Sequence, residues 1–220
     1  MVQKTGKIKT AVITGQHPYD VIGFQTVFRS IPEIDFYPQH MEDFATDTGG
    51  GRKDYDVVVF YNFHRATPGA DGDKLGVRIK EAIEEFSESD KGLLVLHHAI
   101  LAFPKWELWS DVCGIDDRSF GYHPEQKMLT EIASFRHPIV KGLTSWEMVD
   151  ETYTMKDAGQ GSEIVLAADH PKSMKTIAWT RKYKNARIFC YQSGHDNRAF
   201  SDPQFRTVVA QGIRWLAGRI

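Results

Sequence analysis

Cysteine is scarce in this chain. Cys113 and Cys190 are the two thiols in 220 residues, and they form no C-x-x-C pair. That count excludes a zinc finger and a disulfide framework and leaves two reduced, buried thiols. Basic clusters are missing too: formal net charge is -2, and no lysine or arginine block forms the patch that a phosphate backbone requires. Nucleic acid is therefore not an expected partner. No run of about 18 apolar residues occurs, and the opening "MVQKTGKIKT" has no apolar leader core. A cytoplasmic protein that does not enter membranes is the expectation, and a leader removed before Met1 is compatible with it. Internal repeats and low-complexity segments are absent as well.

What is present is a balanced globular composition, 41% hydrophobic and 25% charged, enough for one sizeable core. "IKTAVITG" reads as a first strand and "DVIGFQTVFRSI" as a helix, with Val21, Ile22, Phe24, Val27, Phe28 and Ile31 at helical spacing. "EIDFYPQ" is a second strand. "ATDTGGGRKD" is a Gly-rich loop without the Lys-Ser/Thr of a phosphate loop. "YDVVVFYNF" and "GLLVLHH" are nearly all-apolar, as buried parallel strands are. Between them "DKLGVRIKEAIEEFSES" is an amphipathic helix with Leu75, Val77, Ile79, Ala82, Ile83 and Phe86 inward.

From about residue 105 the rhythm changes. "PKWELWSDVCG" is a short helix ended by Gly114. "KMLTEIAS", "WEMVDETYTM", "EIVLAAD" and "KTIAWTRKY" are strands that extend the sheet or cover its edge. "ARIFCYQSG" is a last buried strand, and "DPQFRTVVAQGIRWLAGRI" a closing helix with Asp at its cap and Pro just inside. The tryptophans and "GIRWLAG" suit a homo-oligomer interface and a core equally.

Alternation of strand and helix with all-apolar strands predicts a parallel sheet covered on both faces, with ligands beyond the carboxyl ends of its strands. Five of the nine histidines fall there: His17, His64, His97, His98 and His195. Imidazoles titrate near neutrality, so such a cluster supplies proton transfer or metal ligands. "GHDNRAF" adds Asp196, Asn197 and Arg198 beside His195; a capped turn, with Arg198 paired to a surface acid, explains Asp196 and Arg198 but not His195. "VDETYT" puts Asp150 on one face of a strand, with Glu151 and Tyr153 on the other. His17, His123, His137 and His170 each precede a proline, which fixes their backbone. Function is the expectation for His17 and His123, structure for His137 and His170. Tyr19, Phe63, Trp106, Trp109 and Tyr122 are available to stack on a pyranose. A zinc site built from His98, His123 and His195 is a further reading, since zinc takes about four ligands including imidazole.

The motifs "TGQHPYD", "GLLVLHHA", "GYHP", "HPIVKGL", "DETYT" and "GHDNRAFSDPQF…GIRWLAG" together resemble the ThuA-like family, the trehalose-utilisation proteins, across almost the whole chain. The resemblance implies one domain over residues 1–220. Its fold is expected to be that of class I glutamine amidotransferases: α/β, a flavodoxin-like three-layer sandwich with a mostly parallel sheet. In amidotransferases the turn after this strand is a nucleophile elbow carrying cysteine; here it holds His97 or His98. His195 is similar to the triad histidine. Without the thiol there is no thioester and no glutaminase chemistry by that route.

ThuA-like proteins are implicated in disaccharide catabolism alongside dehydrogenases that form 3-keto sugars. The substrate this implies is a small-molecule sugar, with acid-base or metal-assisted elimination α to a carbonyl. His97, His195, Asp150 and Glu151 are then the catalytic candidates. His17, Tyr19, His64, His98, His123, Tyr153, Asn197 and Arg198 are the substrate-binding candidates, and a divalent metal such as zinc is the cofactor compatible with them. The rival is a non-catalytic sugar-binding or regulatory module on the same fold.

Overall fold

The computed structural model describes residues 6–220. A nine-stranded sheet runs through it: β1 (Ile8–Gly15), β2 (Ile34–His40), β3 (Val57–Asn62), β4 (Gly92–Leu96), β5 (Gly121–Ile132), β6 (Trp146–Thr154), β7 (Glu163–Ala167), β8 (Thr176–Tyr183) and β9 (Ala186–Tyr191). Six helices accompany it: α1 (Val21–Arg29), α2 (Met41–Thr46), α3 (Lys74–Glu88), α4 (Glu107–Cys113), α5 (Asn197–Ser201) and α6 (Pro203–Leu216). The strand order is β2-β1-β3-β4-β9-β8-β7-β5-β6.

The sheet is mixed rather than mostly parallel. β2, β1, β3, β4 and β9 run parallel, while β8, β7, β5 and β6 continue the sheet in antiparallel pairs. The reason lies in the connections. Only Lys184 and Asn185 separate β8 from β9, with Lys184 at φ 49°, and so short a turn joins strands only in antiparallel fashion.

Alternation along the parallel strands divides the core in two. Val57, Val59, Tyr61, Leu94, Leu96, Phe189 and Tyr191 face α1, α5 and α6. Val58, Phe60, Leu93, Val95, Ile188 and Cys190 face α2, α3 and α4. Burial on both faces is why these strands read as unbroken apolar runs.

The helices begin where their caps stand. Asp20, Asp73 and Asp202 each accept from backbone N–H groups of the first turn of α1, α3 and α6, satisfying donors that otherwise lack a partner. Gly114, at φ 72°, closes α4 in the left-handed conformation. Two apolar residues at helical spacing in α1, and two of those assigned inward in α3, are not buried. Val21 and Ile22 are exposed, Ile22 at 81%, and Leu75 and Val77 are more than a third exposed. All four sit in the first turns of their helices. The closing helix stops at Leu216 instead of Ile220, and α2 and α5 are short helices that the apolar pattern did not reveal.

Candidate functional site

Strand order changes direction between β1 and β3, the place where open α/β sheets bind ligands beyond their carboxyl ends. The chain leaves β4 there by a sharp step. His97 has φ 52°, a left-handed conformation costing about 1–2 kcal/mol in a residue with a side chain. A 3-10 turn follows over His97–Leu101. This geometry assigns the elbow position to His97, with His98 behind it. The segment beyond is gripped by the buried Arg118, whose guanidinium donates to the carbonyls of Ile100, Ala102 and Phe103.

The His97 ring is fully enclosed. Its Nδ1–H donates to the Gln192 carbonyl at 2.6 Å, which leaves Nε2 as the free lone pair in the neutral ring. The Tyr153 hydroxyl lies 2.7 Å from that Nε2 and a Glu151 carboxylate oxygen 3.5 Å from it. His195 Nε2 is 3.8 Å from the other Glu151 oxygen. One ligand atom from each of His97, Glu151 and His195 falls within 4.8 Å of the others. Burial by itself would lift the Glu151 carboxyl, but the adjoining His97 and His195 imidazoles, which favour the carboxylate when they carry a second proton, hold it below the usual range. The buried Tyr153 phenol is pushed well up, by desolvation first and by Glu151 second. It therefore stays protonated and remains a donor.

Asp150 has a different task from the one its type suggested. Completely buried, it accepts from the backbone N–H groups of Gly194 (2.7 Å), His195 (3.0 Å) and Glu151 (2.9 Å), so it orients no imidazole. Desolvation raises its pKa, against the pull of His97 and these donors. It clamps the turn after β9 to β6 and so sets the backbone of both Glu151 and His195. Gly194 has φ 120°, and a Cβ there would stand 3.1 Å from the Phe205 ring, so the turn requires glycine.

His98 lies on the other side of the elbow. Its Nε2–H donates to the Tyr61 carbonyl at 3.2 Å, and its ring stacks on His17 with centroids 4.2 Å apart. Desolvation, then the charges of His97 and His17, hold its pKa well below 6.5. His17 is lowered too, mainly by desolvation. A cleft of about 320 Å³ opens beside them, lined by His17, Phe63, His98, Leu101, Phe120, Tyr122, Glu151 and Tyr153. Tyr122 stands at its rim, 64% exposed.

The remaining candidates lie elsewhere. His64 stacks on Phe103, 3.5 Å from Glu42, and borders a neighbouring cleft with Gln16 and Arg65, so four of the five strand-end histidines share the site. His123 points away: β5 alternation turns Tyr122 to the cleft and sends His123 to Thr154 Oγ1 at 3.3 Å. The expected set His98, His123 and His195 consequently does not converge. Tyr19 packs edge-on against Phe24 and Tyr61. The Asn197 amide donates to Asp20, and Arg198 pairs with Glu125 and Asp196; Asp196 caps α5, accepting from the Arg198 backbone N–H. Trp106 and Trp109 are core residues, the latter donating to the Ala99 carbonyl, and neither lines the cleft. His137 and His170 accept from nearby backbone N–H groups. Sequence reading missed Gln192, Phe120 and Arg118. "CYQSG" placed Gln192 at a strand end, a signal available but not taken; the other two carry no local signal.

A model of the ThuA family, described as trehalose utilisation, matches residues 40–216. No curated protein matches the sequence. A ThuA-like protein from Parabacteroides merdae superposes with TM-score 0.76 at 22% identity, covering 97% of this chain and 91% of that one. Another from Bacteroides uniformis gives 0.73 at 20%, covering 97% and 92%. A glutamine amidotransferase from Thermotoga maritima gives 0.57 at 9%, covering 97% and 99%. At these identities the likeness is one of fold. With its family pattern matched over most of its length, the chain belongs to the ThuA (trehalose utilisation) family.

Proposed function

We propose that this protein acts on a keto form of a disaccharide, removing a proton α to the ring carbonyl and expelling the aglycone. The observation that supports this is the meeting of His97 Nε2, the Glu151 carboxylate and His195 Nε2 beside an aromatic-rimmed cleft. A base takes the hydrogen at C2 of a 3-keto glycoside. The resulting enolate expels the oxygen at C1, and an acid returns a proton to that oxygen. An unsaturated keto sugar and a free alcohol result, with no oxidant consumed. His195, the partly exposed imidazole, is the base, with the Glu151 carboxylate 3.8 Å from its Nε2. Tyr153, held beside His97 Nε2, forms the donor side, where a protonated phenol stabilises developing oxyanion charge. The covered sheet is in this reading a flavodoxin-like three-layer sandwich.

A divalent cation is a second reading, favoured by the donor set itself. Two imidazoles and a carboxylate within 4.8 Å resemble a zinc site with one open position. The Gln192 carbonyl already fixes the His97 tautomer with Nε2 outward. Such an ion would supply Lewis acidity to the enolate oxygen.

The test is turnover of 3-keto-trehalose against trehalose, with metal analysis of the purified protein. Equal turnover of both sugars removes the carbonyl mechanism, and binding without turnover favours the non-catalytic module. Stoichiometric zinc that is lost in Glu151→Gln supports the second reading.

A further inference from the structure

His98 is buried, lines the cleft, and has a polar atom with no partner. Its Nε2–H is committed to the Tyr61 carbonyl at 3.2 Å. Its Nδ1 is enclosed and meets no hydrogen-bond partner among the described residues. A buried polar atom left alone is costly, and this one sits on a ring whose other nitrogen is already assigned. With Nε2 carrying the proton, Nδ1 is an acceptor. The cleft therefore asks for a donor at this point.

Position narrows the donor's chemistry. The ring centroids of His97 and His98 are 5.3 Å apart, so one pyranose ring spans both. The adjoining wall is aromatic: Phe63 stands edge-on to His98 at 5.7 Å and edge-on to Phe120 at 6.4 Å. Arg65 lies over both phenyl rings, 4.9 Å from Phe63 and 5.6 Å from Phe120. A ligand seated here has an apolar face toward the phenyl rings and a neutral donor toward Nδ1. A carboxylate or phosphate lacks such a donor, whereas a sugar hydroxyl supplies it. His17, stacked on His98, holds a second enclosed Nδ1 without a partner.

We propose that His98 is the specificity residue of the cleft: its Nδ1 accepts a hydrogen bond from one sugar hydroxyl and thereby selects against substrates lacking it. The proposal rests on the sugar reading above but concerns recognition rather than turnover. A site built around a hydroxyl rejects the analogue without it strongly, by up to about 10⁴-fold, because the site's polar atom is then left unpaired.

The experiment is calorimetric titration of the whole protein with trehalose and with each of its monodeoxy derivatives. One derivative is expected to bind about 10²-fold or more weakly than trehalose. His98→Phe should bind that derivative and trehalose equally, while His98→Asn, which keeps an acceptor near Nδ1, should recover part of the preference. Thermal melts confirm that each variant is folded, and the Asn variant carries the test should the Phe variant not fold. Equal binding of every derivative by the wild type, a preference kept intact in His98→Phe, or failure to bind trehalose overturns the proposal. Hydroxyl-dependent binding without turnover of the keto sugar leaves it standing and removes the catalytic reading. Turnover with no hydroxyl preference does the reverse.

Discussion

The Tyr153 hydroxyl lies 2.7 Å from His97 Nε2, across 56 residues of sequence. It joins the elbow after β4 to a strand at the far edge of the sheet. Tyr153→Phe removes the donor while keeping the ring that stacks beside His97. The expected result is a loss of about 10–100-fold in kcat on a 3-keto disaccharide, with stability lowered by only about 1 kcal/mol in urea unfolding. A variant with full activity removes Tyr153 from the donor side.

His195→Ala should cost about 10² to 10⁴ in rate, the usual range for a positioned general base. Its side chain is 30% exposed, so the melting temperature should hardly move. His195→Asn, which keeps some polarity, is the control. A fall in melting temperature with turnover intact assigns His195 to structure instead.

Asp150→Ala should show the opposite pattern, destabilising first. Two buried N–H groups of the turn after β9 lose a charged acceptor, at about 2–4 kcal/mol together. Chemical denaturation reads this directly. A change below about 0.5 kcal/mol would mean that the clamp is dispensable.

No glutamate should be released from glutamine. The elbow holds imidazole, and Cys113 and Cys190 are both enclosed in the core. Glutaminase activity that persists in a Cys113→Ala, Cys190→Ala double variant would show that some other group acts as nucleophile.

Acid should destabilise the fold from about pH 6.5 downward, partly through His137. Its Nδ1 accepts from the Ile139 N–H and its Nε2 faces Thr180, an arrangement that requires the neutral ring. Desolvation lowers its pKa from 6.5, with Glu163 opposing weakly. The unfolded chain thus binds the proton first. Its contribution is fully present above 6.5 and is lost as pH falls toward the folded value. His17, His64 and His98 are lowered in the same direction. His137→Gln should flatten the dependence of the denaturation midpoint on pH between 7 and 5, and an unchanged slope would exclude His137 from the effect.

Local pattern was enough for much of this molecule. Runs such as Leu93–Leu96 could only be strands covered on both faces, because exposing them would cost hydrophobic free energy on either side. Asp202 marked the start of the closing helix by its capping chemistry. The strand ends named His17, His97, His98 and His195 as neighbours, since parallel strands deliver their carboxyl ends to one edge.

Tertiary structure decided which of these groups meet. β6 is four places from β9 in the sheet, yet Asp150 accepts from Gly194 and His195, so the β5–β6 ribbon curls back over the end of β9. That curl carries Glu151 and Tyr153 to His97, while strand alternation turns His123 aside. It also divided the two acids of "VDETYT" between a backbone clamp and the site. His97 rather than His98 took the strained elbow, and His64 left the cluster for Glu42. Each outcome turns on a shift of one residue in register or one backbone angle, and side-chain direction reverses with either. A sequence constrains such choices only through contacts between segments far apart in the chain, and those contacts exist only once the sheet has formed.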